Sequence, residues 1–235
     1  MCWNRPLVWH DGTMYVENFA EALFAFVMAY PDSGNAHHPE RVAQDFMQAP
    51  NEFNEADIAG AEQLRARGHA RRAQADLLGD VAEPVRSLLR ESLCTEWRLF
   101  ELPEADWQNT VAGALRNTLE AMDGIRHVGF SVATKLLYLK RPHLVPICDE
   151  LVASRVMEGE PLRNIGEAMR CIERIRRIGQ RNLELIAGVV GRLDAVLPDG
   201  DAYRDLSHPR ALDAVIWFCE KQHRRLDYAA LFSRG

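Results

Sequence analysis

The stretch Gly124-Ile-Arg-His-Val-Gly-Phe-Ser-Val-Ala-Thr-Lys-Leu-Leu-Tyr-Leu-Lys-Arg-Pro-His-Leu-Val-Pro-Ile-Cys-Asp149 decides how this chain is read. It spells a helix stop, a tight turn, a helix, a proline turn and then a carboxylate. An amphipathic run ends at Gly124, where a left-handed C-cap favours glycine. Gly129 opens the next helix, whose first N–H groups have no partner inside the helix and point out of the turn. Such a helix start attracts phosphate. His127 sits within the turn, and histidine is among the residues that tolerate a positive φ. Asp149 follows Pro146-Ile-Cys and precedes Glu150-Leu-Val-Ala-Ser, which places it at another helix N-terminus, where the dipole and free N–H groups favour an anion.

Outward from this stretch the apolar spacing stays helical and strand-like alternation is scarce. Val16 to Tyr30, Ala56 to Arg67, Val81 to Leu93, Val111 to Met122, Val132 to Leu139, Leu151 to Met157, Ile165 to Ile178, Leu183 to Leu193 and Ala211 to Glu220 each place apolar residues three and four apart. The expectation is an all-α chain of about ten helices. Breaks fall at Pro31-Asp-Ser-Gly34, Ala49-Pro-Asn51, Leu102-Pro-Glu104, Pro198-Asp-Gly200 and Ser207-His-Pro209. Asn54, Asp106 and Ser207 stand where caps belong. No repeat or low-complexity tract separates independent units.

At 235 residues and 47% hydrophobic, the chain can bury a substantial core. No apolar run approaches the roughly 20 residues of a membrane helix, because Phe19 to Met28 is interrupted by Glu21 and followed by Pro31. Met-Cys-Trp-Asn-Arg-Pro lacks a secretory apolar core, so a cytoplasmic location is expected. The five cysteines, Cys2, Cys94, Cys148, Cys171 and Cys219, are odd in number and widely spaced, which suggests neither a disulfide framework nor a zinc site. The net charge of −6 opposes indiscriminate nucleic-acid binding. Two local basic runs stand out nevertheless: Arg65, Arg67, His69, Arg71 and Arg72, then Arg170, Arg174, Arg176, Arg177 and Arg181. Either run also fits a solvated helix face paired with Glu and Asp. A glycine-rich phosphate loop, a His-Glu-x-x-His zinc site and a Gly-x-Ser-x-Gly elbow are absent.

The central stretch resembles the helix-hairpin-helix and catalytic-aspartate region of the helix-hairpin-helix DNA glycosylase superfamily. Ile125, Val128, Gly129 and Ala133 fall on the hairpin positions, Pro142 and Pro146 on the turn, and Asp149 on the catalytic carboxylate. Phe53 to Leu64 and Ser207 to Trp217 resemble a poorly characterised bacterial branch of the same superfamily. The resemblance implies a two-lobed helical fold, with one lobe over residues 53–145 and the second built from 1–52 and 146–235. DNA and the target base would lie in the cleft between them. It also departs from the pattern, with His127 in place of the usual first hairpin glycine and Ser131 where bifunctional members carry a nucleophilic lysine.

What the resemblance implies chemically is a monofunctional glycosylase that flips a base and hydrolyses its N-glycosidic bond with Asp149. His127, Val128, Gly129, Ser131 and Lys135 would bind double-stranded DNA; Lys135, one helical turn beyond Ser131, could also reach the cleft, but a phosphate contact or a solvated side chain is the plainer reading. Trp3, Asn4, Trp9, Asp213 and Trp217 would form the base pocket, with Trp107, Phe218, His10 and Asp11 as further candidates. For each aromatic the plainer reading is a core position. Lys140-Arg141-Pro142-His143 fits a DNA contact or simply cations at a helix C-terminus. No cofactor is expected and no iron–sulfur cluster; a monovalent cation held by hairpin carbonyls is compatible with such a turn. Membrane and protein partners are not expected. Base repair and attack on modified phage DNA would use the same chemistry. The alternatives are a DNA-binding adaptor that kept the hairpin and lost base excision, and an all-α interaction protein without nucleic acid. A fold does not fix a reaction.

Overall fold

The structure, a computed structural model, describes residues 6–9, 14–31 and 38–232. It is predominantly helical, with 64% helix and 2% strand, so the chain is all-α. A short antiparallel pair, β1 (Leu7–Val8) and β2 (Met14–Val16), precedes α1 (Phe19–Ala29) and α2 (Pro39–Gln44). Then come α3 (Glu55–Gln63), α4 (His69–Arg72), α5 (Gln74–Leu78) and α6 (Glu83–Glu91). The next helix starts as α7 (Glu104–Asp106), passes through a π-helical segment (Trp107–Val111) and continues as α8 (Ala112–Asp123). The remainder is α9 (Phe130–Tyr138), α10 (Glu150–Val156), α11 (Ile165–Arg181), α12 (Leu183–Val196) and the long α13 (His208–Phe232).

Local chemistry explains most boundaries. Asn54 caps α3 in a reciprocal box with Asp57, whose carboxylate accepts the Asn54 N–H. The helix expected over Val16 to Tyr30 instead begins at Phe19, because the Asn18 side chain accepts from Glu21 N–H and stops the chain from winding earlier. Asp106 lies inside the helix rather than capping it, since the turn starts after Pro103. Residues 64–68 leave the helix expected up to Arg67: Arg65, Arg67 and Gly68 all take positive φ, at 66°, 54° and 76°. The β pair was not expected; two strands this short carry too little alternation to register. Asn182, at the junction of α11 and α12, holds it by accepting from Val8 N–H at 3.0 Å and donating to the Val8 carbonyl at 2.8 Å.

A buried cluster runs from Leu7 and Phe19 through Leu115, Leu136 and Ile172 to Ile216. Helices α1, α10, α11 and α12 pack against α13, while α3 packs against α2, α4 and α9. Charged residues are built into this core. Lys140 bonds Asp57 at 2.7 Å with both side chains 2% exposed, and also reaches the Ala49 carbonyl. Arg141 donates to the carbonyls of Leu89, Leu93, Pro50 and Lys140 and to Asn51 Oδ1. The DNA-contact reading of Lys140 and Arg141 is therefore corrected: both are spent stitching the chain after α9 to the 49–57 segment and the end of α6. Arg176 is likewise fully buried beside Trp107 and pairs with Glu104, while Arg170, Arg174 and Arg177 pair with Glu side chains nearer the surface and Arg181 donates to the Trp9 carbonyl.

Arg141→Met is expected to destabilise the fold by roughly 3 kcal/mol, because several buried carbonyls lose their donor at once. Urea denaturation should show a lower midpoint with an unchanged slope; a midpoint equal to wild type would contradict this role.

Candidate functional site

Asp149 is positioned by two hooks on the chain just ahead of it. Pro146, Ile147 and Cys148 run buried between α9 and α13. The Ile147 N–H donates to Asp213 Oδ2 of α13 at 2.9 Å, and the Cys148 N–H donates to Thr134 Oγ1 of α9 at 3.2 Å. With both amides held, the next residue must turn into α10. Asp149 Oδ1 accepts from Leu151 and Val152 N–H, each at 3.0 Å, so it is the N-cap of that helix. Its Oδ2 has no hydrogen-bond partner among the described residues. Asp149 also lines a cavity of about 280 Å³, so capping and cavity-facing roles coexist in one side chain.

The cavity draws its walls from α1, α2, the 63–65 turn, the segment before α10, and α13. Its deep side is an ionic cluster. Arg210 bonds Glu40 Oε1 at 2.7 Å and also pairs with Asp213, whose second oxygen is the one holding Ile147. One guanidinium thus serves two buried carboxylates. Burial lifts the Asp213 carboxyl to about 7, with nearby Asp149 adding to the rise and Arg210 and the Ile147 N–H opposing it. The aromatic side is formed by Phe26, Tyr30, Tyr203 and Trp217, the last meeting Tyr30 edge to face at a centroid distance of 5.5 Å. At the mouth, Arg65 lies 5.0 Å over the Trp217 ring.

The central turn keeps its expected place with its internal details rearranged. Gly124 is right-handed helical, with φ −69°, and the left-handed residue is His127, with φ 71°. Ile125 and Val128 are buried and anchor the turn, while Arg126 and Gly129 are exposed. Gly129 is the N-cap of α9, and among the described residues no side chain caps the first N–H groups of that helix. Lys135 is corrected outright. It is 3% exposed, and its ammonium bonds Ser131 Oγ at 3.1 Å and the Arg65 carbonyl at 3.3 Å, so it is neither solvated nor free for a phosphate. Burial pulls its pKa below the ordinary lysine value, while Asp149 acts the other way.

Among the expected pocket residues, Asp213 and Trp217 line the cavity together with Asp149. Trp9 does not: it is buried against Tyr15 at 4.7 Å, with Arg155 over both rings. Trp107 packs on Arg176 away from the cavity. Trp3, Asn4, His10 and Asp11 lie outside the described residues. Sequence reasoning missed Glu40 and Arg210, which carry the buried ionic cluster, and Tyr30, His38 and Arg65 on the walls. Glu40 follows Pro39 at the start of α2, and nothing local ties it to a residue 170 positions later. Among the described residues, no group of three or more His, Cys, Asp or Glu side chains is placed to hold a metal ion, and no helix is long and apolar enough to cross a membrane.

Residues 33–219 match DUF6308, a family of unknown function. The chain belongs to that family. The DUF6308 span contains Glu40, Arg65, Asp149, Arg210, Asp213 and Trp217, whereas Phe26 and Tyr30 of the aromatic wall precede it. No curated protein and no solved structure matches the chain.

Asp213 generates a pH test. A carboxyl raised from 3.8 to about 7 binds its proton more tightly in the folded state, so its contribution to stability is present at low pH and is lost as pH rises through that window. His143, pushed down to about 4 by burial, and His208, also lowered by burial, act in the opposite direction, while burial raises Asp57 and Asp194, so a raw stability curve mixes several groups. The expected signature is therefore a difference: wild type minus Asp213→Asn should fall between the ordinary carboxyl range and about pH 7 and then level off. Urea melts of both proteins across this range check it, and a difference independent of pH would contradict it.

Proposed function

We propose that the protein is a monofunctional DNA N-glycosylase that extrudes a damaged or modified base into the cavity beside Asp149 and hydrolyses its glycosidic bond. The observation that carries this reading is the convergence of Asp149, Asp213 and Trp217 on one cavity walled by aromatic rings. The resemblance of the central stretch to helix-hairpin-helix glycosylases assigned the first of these a catalytic role and the other two a pocket role. An aromatic-walled recess with a carboxylate at its edge suits a flipped nucleotide, whose unstacking is offset by stacking and edge hydrogen bonds.

In this scheme the start of α9, which has no side-chain cap among the described residues, grips backbone phosphates through its N–H groups, while the N–H groups of Gly124, Ile125 and Val128 hold the turn itself together. His127, Gly129 and Ser131 form that surface as a helix-hairpin-helix element anchored by the buried Val128; Lys135 supports it from beneath by bracing Ser131 and the 65 turn. Asp149 Oδ2 stabilises positive charge on the sugar as the base departs and orients the attacking water, leaving an abasic site. The exposed Arg67, Arg71 and Arg72 have no ion pair among the described residues and add phosphate contacts near the cavity mouth. The setting is the bacterial cytoplasm, with duplex DNA as partner.

Burial of Lys135, Lys140 and Arg141 leaves fewer cations for DNA than the sequence offered, and the exposed Arg67, Arg71 and Arg72 with the start of α9 are what support the second reading, a binder with no excision activity. One variant separates them. Asp149→Asn retains a good helix cap, so folding and duplex binding should match wild type while base release falls at least about a hundredfold. Mass spectrometry of bases released from damaged and phage DNA reads the loss; absence of release from every wild-type reaction would leave the binder. Because Lys135 is enclosed, borohydride should trap no covalent DNA adduct, and a trapped adduct would overturn the monofunctional assignment.

A further inference from the structure

One acceptor in the cavity wall is left without a donor. Glu40 is 2% exposed; its Oε1 is taken by Arg210, and its Oε2 has no hydrogen-bond partner. His38 Nδ1, also buried and unpartnered, lies 3.4 Å from that oxygen, without hydrogen-bond geometry between them. Both residues line the same cavity as Asp149. A buried polar atom left unsatisfied costs more than a made bond returns, so native proteins rarely keep one without a ligand or ordered water to complete it.

We propose, building on the base-pocket reading above, that the cavity selects nucleobases carrying an exocyclic amino group. Glu40 Oε2 accepts one of its N–H bonds, and His38 Nδ1, with the ring proton on Nε2, accepts the other. An amino group attached to a flat ring presents two diverging hydrogens, which suits two neighbouring acceptors. A carbonyl in the same position sets its lone pairs against a carboxylate oxygen and leaves both protein atoms unpaired, the kind of mismatch that hydrogen-bonding sites reject most strongly. Because both atoms are closed off from bulk water, the amino group enters from the cavity side with a turn of the His38 ring. A cationic ring is not the recognised feature: Arg210 already lies 5.4 Å over Phe26, and Lys221 lies 4.6 Å over Trp217.

The test titrates the intact protein calorimetrically with deoxyadenosine, deoxyinosine, deoxycytidine and deoxyuridine. Deoxyadenosine and deoxycytidine should each bind at least about tenfold more tightly than the carbonyl counterpart, the worth of one well-made hydrogen bond. Glu40→Gln puts an amide NH₂ in place of Oε2 while Oε1 still accepts from Arg210, so the preference should vanish or invert. Glu40→Asp, which keeps the charge but shortens the reach, should also lose it. Equal or reversed preference in wild type, binding of none of the four nucleosides, or a preference that survives Glu40→Gln overturns the proposal. Amino-selective nucleoside binding without base release from DNA would uphold this assignment and remove the glycosylase reading; base release indifferent to the amino group would do the opposite.

Discussion

The site depends on one guanidinium shared between two carboxylates. Arg210 lies in α13 and Glu40 in α2, with Asp213 one turn beyond Arg210, and all three are withdrawn from water. Removing three charges from solvent is expensive, and a lone cation cannot neutralise two anions. Burial raises the Asp213 carboxyl to about 7, with nearby Asp149 adding to the rise and Arg210 opposing it. Yet Asp213 cannot relax away, because its other oxygen holds the Ile147 amide that aims Asp149. Position and protonation are therefore coupled through a single side chain. Apolar replacements of buried ion pairs are often neutral or stabilising, but here they would leave the Ile147 N–H without an acceptor and remove the polar floor of the cavity.

Cations elsewhere are distributed by the same logic. Lys135, Lys140, Arg141 and Arg176 sit almost wholly inside and donate chiefly to carbonyls and buried acids. These bonds tie loops to helices where no regular backbone ladder can. Arg65 and Arg67 stay outside in left-handed backbone conformations, which few non-glycine residues adopt without support. Support comes from below, where Lys135 bonds the Arg65 carbonyl, and from Glu62, which accepts the Gly68 and Arg71 N–H groups. On the proposed reading, the salt dependence of DNA binding reports this small outer set rather than the full basic content of the sequence.

The helices were legible because period and caps agree locally: Asn54 with Asp57, and Asp149 opening α10, are decided within four residues of themselves. Asp213 and Trp217 were legible only through resemblance. Glu40, Arg210, His38 and Tyr30 were not, because their meaning comes from pairings across 170 residues that no local window contains. Lys135, Lys140 and Arg141 misled for a related reason. A cation near a helix end looks solvent-facing in sequence, and only the fold reveals that the neighbouring loops close over it. The turn shows the finer version of this limit: a left-handed residue was needed, glycine was the natural choice at 124, and the backbone assigned it to His127 instead.

Cavity size bears on which bases the proposed enzyme can accept. About 280 Å³ lies at the lower edge of the range for small-molecule sites, enough for a flat ring and its sugar and little else. Arg65 stacked on Trp217 narrows the mouth. A base with a bulky substituent cannot be enclosed while that stack persists, so it must displace Arg65, whose head is exposed while its backbone stays held by its N–H on the Glu62 carbonyl and by the Lys135 ammonium at its own carbonyl. A small lesion enters without disturbing it. Discrimination by size thus falls to the side chain at the rim, while discrimination by hydrogen bonding falls to the buried acids beneath. The two can change largely independently, because among the described residues no hydrogen bond or ion pair joins Arg65 to Arg210, Glu40 or Asp213.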